Sequence, residues 1–144
     1  MPPWQVLLVI TASLIITVLL AAALSVTPAG DSSSTSELGH GWVLAVITPV
    51  FTVVALPLAE EIIFRRLLLD WLLARTSAAL AFIVVTVTFA AIHVTPPVML
   101  YILVCEGFWT LLRIWYASLW ASWIAHMCNN ALVTGAALVA LLST

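Results

Sequence analysis

The sequence predicts an all-α fold: a polytopic membrane helical bundle of five to six spans, with room for one partial or re-entrant helix. Three observations predict it. Of 144 residues, 65% are hydrophobic and 7% are charged, where a soluble domain carries about a quarter charged residues. Mean hydropathy is +1.25. Long stretches without any Asp, Glu, Lys or Arg, residues 1–30, 38–59, 76–105 and 114–144, each have length for a crossing of roughly 20 residues. This composition excludes an ordinary soluble domain and a disordered tail. A nucleic-acid binder is excluded as well, because it needs a basic face and the net charge here is −2.

Each element follows from its own pattern. Residues 6–24 (VLLVITASLIITVLLAAAL) make one apolar helix, and residues 1–24 are expected to be an N-terminal transmembrane anchor. The start lacks the basic stretch of a secretory signal, although Ala21, Ala22 and Ala23 leave a cleavage site as the alternative. Residues 25–40 carry Ser, Gly, Pro and an SSSTS run and form an extramembrane loop. Residues 41–142 hold the helical core. Within it, residues 41–59 form the second span, and Pro49 and Pro57 are expected to kink it. Helix resumes over 60–74, where EEIIFRRLLLDWLLA places large apolar residues at helical spacing.

A third apolar segment, residues 76–93, stops at Val94-Thr95-Pro96-Pro97. The next, 98–115, carries Glu106, Gly107 and Arg113. Residues 116–142 suffice for one helix, or for two pieces broken near Asn129-Asn130. Runs such as Ile83-Val84-Val85 do not alternate as barrel strands do, and only helices and closed barrels span a bilayer. Cys105 and Cys128 sit in apolar surroundings and are expected to be buried free thiols. Both termini lie within a few residues of apolar runs, as in a minimal member of its class or a fragment.

The chain has no Lys, four Arg and six Asp or Glu, and their positions carry more information than their number. Six of the ten lie between residues 60 and 75: Glu60, Glu61, Arg65, Arg66, Asp70 and Arg75. Loop 25–40 has only Asp31 and Glu37. The positive-inside bias therefore puts Arg65 to Arg75 on the cytoplasmic side, the loop outside and the N-terminus in the cytoplasm. Glu106 and Arg113 interrupt an apolar region. Ionised groups inside membrane helices are costly, so they face a bundle interior or an aqueous cavity and mark candidate sites.

Three spacings supply polar chemistry. Glu61 and Arg65 are four apart and pair on one helix face; Glu60 points about 100° away, free for a cavity as a general base. The ordinary reading of this stretch is an ion-paired interfacial connection. Asp70 is expected to partner Arg66. Phe89 and His93 share a face, with the ring walling the imidazole; the ordinary reading is a helix-end histidine. His126 and Asn130 also share a face, and the amide orients the imidazole or binds substrate, or merely joins helices. Asn129 serves the backbone or a neighbouring helix.

Together these groups suit hydrolysis of a polar bond in a membrane cavity. Glu60 would draw a proton from water, one histidine would orient that water, and the other with Asn130 would stabilise an oxyanion. Zinc held by Glu60, His93 and His126 is the competing mechanism, although no H-E-x-x-H motif is present. Ser118 and Ser122 lie at helical spacing from His126 but lack a compact base arrangement, so a serine nucleophile is disfavoured.

Glu60-Glu61-Ile62-Ile63-Phe64-Arg65, Phe89-x-x-x-His93 and His126-x-x-x-Asn130 resemble the three motifs of the CAAX protease and bacteriocin-processing (Abi) family, which includes Rce1-type prenyl endopeptidases. The resemblance covers residues 41–142. Gly107 and Tyr116 to Ser122 also resemble the segment preceding that family's third motif. The resemblance implies a helical membrane bundle with a cytosolic cavity, a catalytic glutamate at Glu60 supported by Glu61 and Arg65, and active-site roles for His93, His126 and Asn130. It implies an intramembrane endopeptidase acting on a membrane-associated peptide or protein in a prokaryotic plasma membrane. No cofactor is expected on the glutamate mechanism, and zinc on the alternative one. The chain is shorter than many such proteins, so its lid or substrate gate is expected to differ or to come from a partner membrane protein. It shows no prenyl-specific signature. Other classes that suit the same residues are a non-catalytic immunity protein and a proton-relaying transporter.

Overall fold

The computed structural model describes residues 2–25, 47–93 and 96–142. These form five helices: α1 (Pro3–Ala23), α2 (Ile47–Leu73), α3 (Ala78–Ala91), α4 (Pro96–Tyr116) and α5 (Leu119–Leu142). The expected loop 25–40 and the first residues of the expected core lie outside the described residues, apart from Ser25. Three helices are long and apolar enough to cross a membrane: α1, α2 and the Val98–Tyr116 part of α4. The chain is thus an integral membrane protein with a polytopic helical bundle.

Its packing reverses that of a soluble domain. Large apolar side chains such as Leu7, Val18, Leu67, Ile83, Trp115 and Val139 face outward, a surface that suits lipid and not water. The interior contains Ser13, Glu61, Arg65, Thr86, Glu106, Thr110, Ser122, His126 and Asn129 alongside its apolar core. Val9 of α1 joins Phe89, Cys105, Trp109 and Ala125 in one cluster; Leu69, Leu72, Ala81 and Val85 form the other. Phe64 packs against both, so α2 is the element that ties the clusters together. α1 packs against α4 and α5 and is part of the bundle rather than a detached anchor.

The sequence divided 41–59 from 60–74, and the structure makes Ile47–Leu73 one helix. Two segments of it, Phe51–Ala55 and Ile62–Leu69, are π-helical. The first has a local cause. The Leu56 N–H reaches back to the Phe51 carbonyl, and in that register the next donor falls on Pro57, which has no N–H. The Thr52 carbonyl would be orphaned, and a buried carbonyl needs a partner. Asn130 Nδ2 of α5 donates to it at 3.1 Å. Trp123 Nε1 donates to the neighbouring Val54 carbonyl at 3.4 Å. Kinks at prolines were expected; a widened helix docked by two α5 side chains is what forms.

α3 is the short element. Ser77 caps it, its hydroxyl accepting the Leu80 N–H at 3.2 Å. Its 14 residues rise about 21 Å, less than the roughly 30 Å hydrocarbon core. α5 runs unbroken through Asn129-Asn130. Between α4 and α5 the chain reverses at Ala117, whose φ of 48° is left-handed. A side chain costs about 1–2 kcal/mol there.

One end of the bundle gathers the interfacial residues. The Tyr116 hydroxyl hydrogen-bonds Gln5 Oε1, and Arg113 pairs with Asp70 at 2.6 Å, which brings the start of α1 level with the ends of α2 and α4. Trp4, Trp71, Trp115 and Trp120 are exposed here, as an aromatic belt requires. The expected Arg66–Asp70 pair forms at 3.4 Å, with Arg66 69% exposed, and Asp70 also takes Arg113. The partly buried Arg113 is the nearer partner because it cannot reach water freely.

The left-handed turn gives a direct test. Ala117→Gly is expected to hold or raise the melting temperature of purified protein, and Ala117→Val, β-branched at positive φ, to lower it. Thermal unfolding followed by helical circular dichroism reads both.

Candidate active site

The polar interior is built around Arg65. It projects from the second π segment of α2, and its side chain is 0% exposed. Arg65 Nη1 lies 3.3 Å from Glu61 Oε1, four residues earlier on the helix. Arg65 Nη2 donates to Glu106 Oε2 of α4. Glu61 and Glu106 are also 0% exposed. Thr110, one turn after Glu106, donates its hydroxyl to Glu106 Oε1 at 3.2 Å. Phe89 and Trp109 wall the guanidinium, with ring centroids 5.1 and 5.9 Å from Cζ. Aromatic faces suit a cation held away from water.

His126 of α5 enters from the opposite side. Its Nδ1 meets Glu61 Oε1 at 3.2 Å and its Nε2 meets Glu60 Oε2 at 3.5 Å. With a carboxylate as acceptor, Nδ1 carries a proton, which leaves Nε2 facing Glu60. Trp109 stacks on the imidazole at 3.9 Å, with planes 17° apart. The ring is thus fixed in position and rotation. The His126 side chain is 3% exposed, and that of Glu60 keeps 19%. Glu60 is therefore the cluster's carboxylate with access to an incoming molecule.

His93, just past the end of α3, directs Nδ1 at the Phe89 carbonyl, 3.0 Å away. Its ring lies against Phe89 (5.4 Å between centroids, 31° between planes). Phe89 also meets His126 edge-on at 6.0 Å. One aromatic ring thus separates the two imidazoles. Because His93 Nδ1 donates to a carbonyl, its Nε2 presents a lone pair.

Of the residues singled out in the sequence, Glu60, Glu61, Arg65 and His126 touch one another directly. His93 stands one aromatic ring away. Asn130 shares the His126 helix face but spends a donor on Thr52; the orienting of the imidazole falls to Glu61 and Trp109. Buried Asn129 accepts from the Tyr101 hydroxyl of α4, the neighbouring-helix role expected for it. Glu60, His93 and His126 do not assemble as a metal cluster: among the described residues no group of three His, Cys, Asp or Glu is placed to hold an ion. The donor geometry does not fit the zinc alternative.

Sequence reasoning flagged Glu106 as a charge that faces the bundle interior but gave it no partner, and it missed Trp109 and Thr110. Glu106 carried a usable signal, since a lone carboxylate in an apolar span needs an internal partner, and Thr110 follows at helical spacing.

The fold and this cluster define a class: a polytopic membrane protein with a carboxylate–imidazole site enclosed by its helices. The family model described as Type II CAAX prenyl endopeptidase Rce1-like matches residues 40–132, and the chain belongs to that family. The match spans α2, α3, α4 and the first half of α5; α1 precedes it. No curated protein and no solved structure matches the chain. Hydrolase and protease chemistry in a membrane is the family's character, and the chain has that enzymatic potential.

Removing one partner of a buried ion pair strands the other. Arg65→Met leaves Glu61 and Glu106 uncompensated, and is expected to cost roughly 3–5 kcal/mol of stability. Arg65→Lys is expected to rescue only part of it, because an ammonium lacks the planar fork that reaches two carboxylates. Unfolding of both variants in detergent against wild type measures this.

Proposed function

We propose that the protein is an intramembrane endopeptidase that hydrolyses a peptide bond with a glutamate-activated water. The observation that carries this reading is the contact of partly exposed Glu60 with His126, whose other nitrogen is fixed by buried Glu61. Family membership supports it independently.

In this reading water enters at Glu60. Glu60 takes a proton from it, and the His93 Nε2 lone pair accepts its other hydrogen and orients it. The water oxygen adds to the scissile carbonyl carbon. The Asn130 amide hydrogen not given to Thr52 donates to the oxyanion so formed, while His126, its Nδ1–H held by Glu61, keeps Nε2 against Glu60 to share the proton that Glu60 has taken up. The intermediate collapses with cleavage of the C–N bond, and Glu60 returns the proton to the leaving amine. Glu61 and Arg65 hold His126 rather than touch substrate. The substrate class is a membrane-associated peptide or protein. The arginine- and tryptophan-rich end faces the cytoplasm, which places the N-terminus there too, in a prokaryotic plasma membrane.

Proteolysis of a peptide library by the purified protein tests the assignment. Glu60→Gln is expected to lower turnover by about 10²–10⁴-fold, the usual worth of a general base, with the melting temperature kept. Glu61→Gln is expected to reduce stability more than Glu60→Gln does. Undiminished turnover in the Glu60→Gln protein would sink the glutamate mechanism, and a folded wild type that binds peptides without cleaving them would favour an immunity role. Turnover is expected to survive metal chelation, because the reading uses no bound ion.

A further inference from the structure

Glu106 has no part in the reaction just described, and its environment is unlike that of a spare charge. Its carboxylate is buried at 0% exposure, takes Arg65 Nη2 on one oxygen and the Thr110 hydroxyl on the other, and comes from a different helix than Glu61. The guanidinium is therefore stretched between two carboxylates.

The unused groups around it are informative. Glu61 Oε1 contacts both Arg65 Nη1 and His126 Nδ1. Glu61 Oε2 has no hydrogen-bond partner among the described residues, and neither do Arg65 Nε and Nη1. A guanidinium beside a carboxylate prefers two parallel hydrogen bonds; Glu61 Oε2 is free for the second, but either fork of the guanidinium, Nη1–Nη2 or Nε–Nη2, needs the Nη2 that Glu106 holds. Glu106, itself fixed by Thr110, holds the other end of the guanidinium and keeps the grip from closing. Glu61 Oε1 then remains aimed at His126.

We propose that Glu106 is a positioning residue: by anchoring Arg65 from α4 it prevents a closed bidentate Arg65–Glu61 pair, and so leaves Glu61 to fix the His126 imidazole. Its catalytic consequence rests on the endopeptidase reading above. The positioning itself does not. Glu106→Gln keeps the size and one acceptor but removes the charge that competes for Arg65. Arg65 then turns wholly onto Glu61, and His126 Nδ1 loses its acceptor.

The chain has three histidines, His40, His93 and His126, so imidazole nitrogens are resolvable by NMR of ¹⁵N-histidine-labelled full-length protein in nanodiscs. His40→Gln and His93→Gln supply the assignment. In wild type, His126 is expected to show a single fixed Nδ1–H form. In Glu106→Gln its two nitrogens are expected to move toward each other as the tautomers average. Glu106→Asp, which restores the charge, is expected to move them back toward wild type. Glu106→Asp also carries the test if the Gln variant fails to fold, since its shorter side chain loosens the anchor and predicts a smaller shift in the same direction. Kinetically, kcat is expected to drop about tenfold in Glu106→Gln with KM within about twofold, as for loss of an orienting partner.

A His126 spectrum that is the same in folded Glu106→Gln and wild type overturns the proposal, whatever the turnover. A changed spectrum in a protein that cleaves no peptide supports the positioning and rejects the endopeptidase reading. A merely structural Glu106 would lower the melting temperature of both variants and leave the His126 signals in place.

Discussion

The structure depends on one buried cation. Arg65 sits where water cannot solvate it, and an uncompensated charge in such a place costs several kcal/mol. Three helices meet to satisfy it. α2 supplies Glu61, α4 supplies Glu106 and Trp109, and α3 supplies the Phe89 face. α5 joins through His126, which shares Glu61 with the arginine. Apolar surface alone does not choose among the ways of stacking lipid-coated helices, because lipid is as apolar as the interior. A cation with two carboxylates on separate elements does choose, since each alternative register leaves one of them unpaired.

The backbone imposes a second constraint at the other end of the site. Inside a membrane every carbonyl needs a partner from the protein. Pro57 removes a donor, the helix before it widens, and the freed Thr52 carbonyl takes Asn130 from α5 while the nearby Val54 carbonyl takes Trp123. This explains a polar residue one turn after His126 on the same face without appeal to chemistry. It also fixes the axial position of α5 against α2, on which the His126–Glu60 distance depends. Asn130 and Glu61 thus locate His126 from two directions, one through a carbonyl and the other through a carboxylate.

Much of this was legible in the sequence, for a physical reason. With ten charges in the chain, the Glu60–Arg65 cluster stood out, and helical spacing alone paired Glu61 with Arg65. The membrane class followed from composition, and Phe89 beside His93 from a four-residue interval. What stayed hidden was partner choice across helices. Glu106 lies 41 residues from Arg65 and Asp70 lies 43 from Arg113, and periodicity carries no information at that range. Local spacing found the Arg66–Asp70 pair but not Arg113, because an i,i+4 neighbour is visible in sequence and a cation on another helix is not. The π-helical segments were equally silent, since the pattern of apolar residues does not distinguish them from ordinary turns.

Depth was the hardest quantity to read. If α2 began at residue 41 and ended near Glu60, alternation of spans would put Glu60 at one membrane face and His93 at the other. The helix instead continues to Leu73, which places Glu60 about 20 Å from its C-terminal end at 1.5 Å per residue. α3 starts at that same end of the bundle and stops at Ala91, also after about 20 Å. A long helix entered from its middle and a short helix ended early bring the two side chains to one level. The shortness of α3 is therefore part of the site: it ends two residues before His93, whose imidazole lies against the Phe89 ring that also meets His126. With α3 ended at Ala91 and α4 opening at Pro96, the second imidazole is held one aromatic ring from His126 and the carboxylates that His126 contacts.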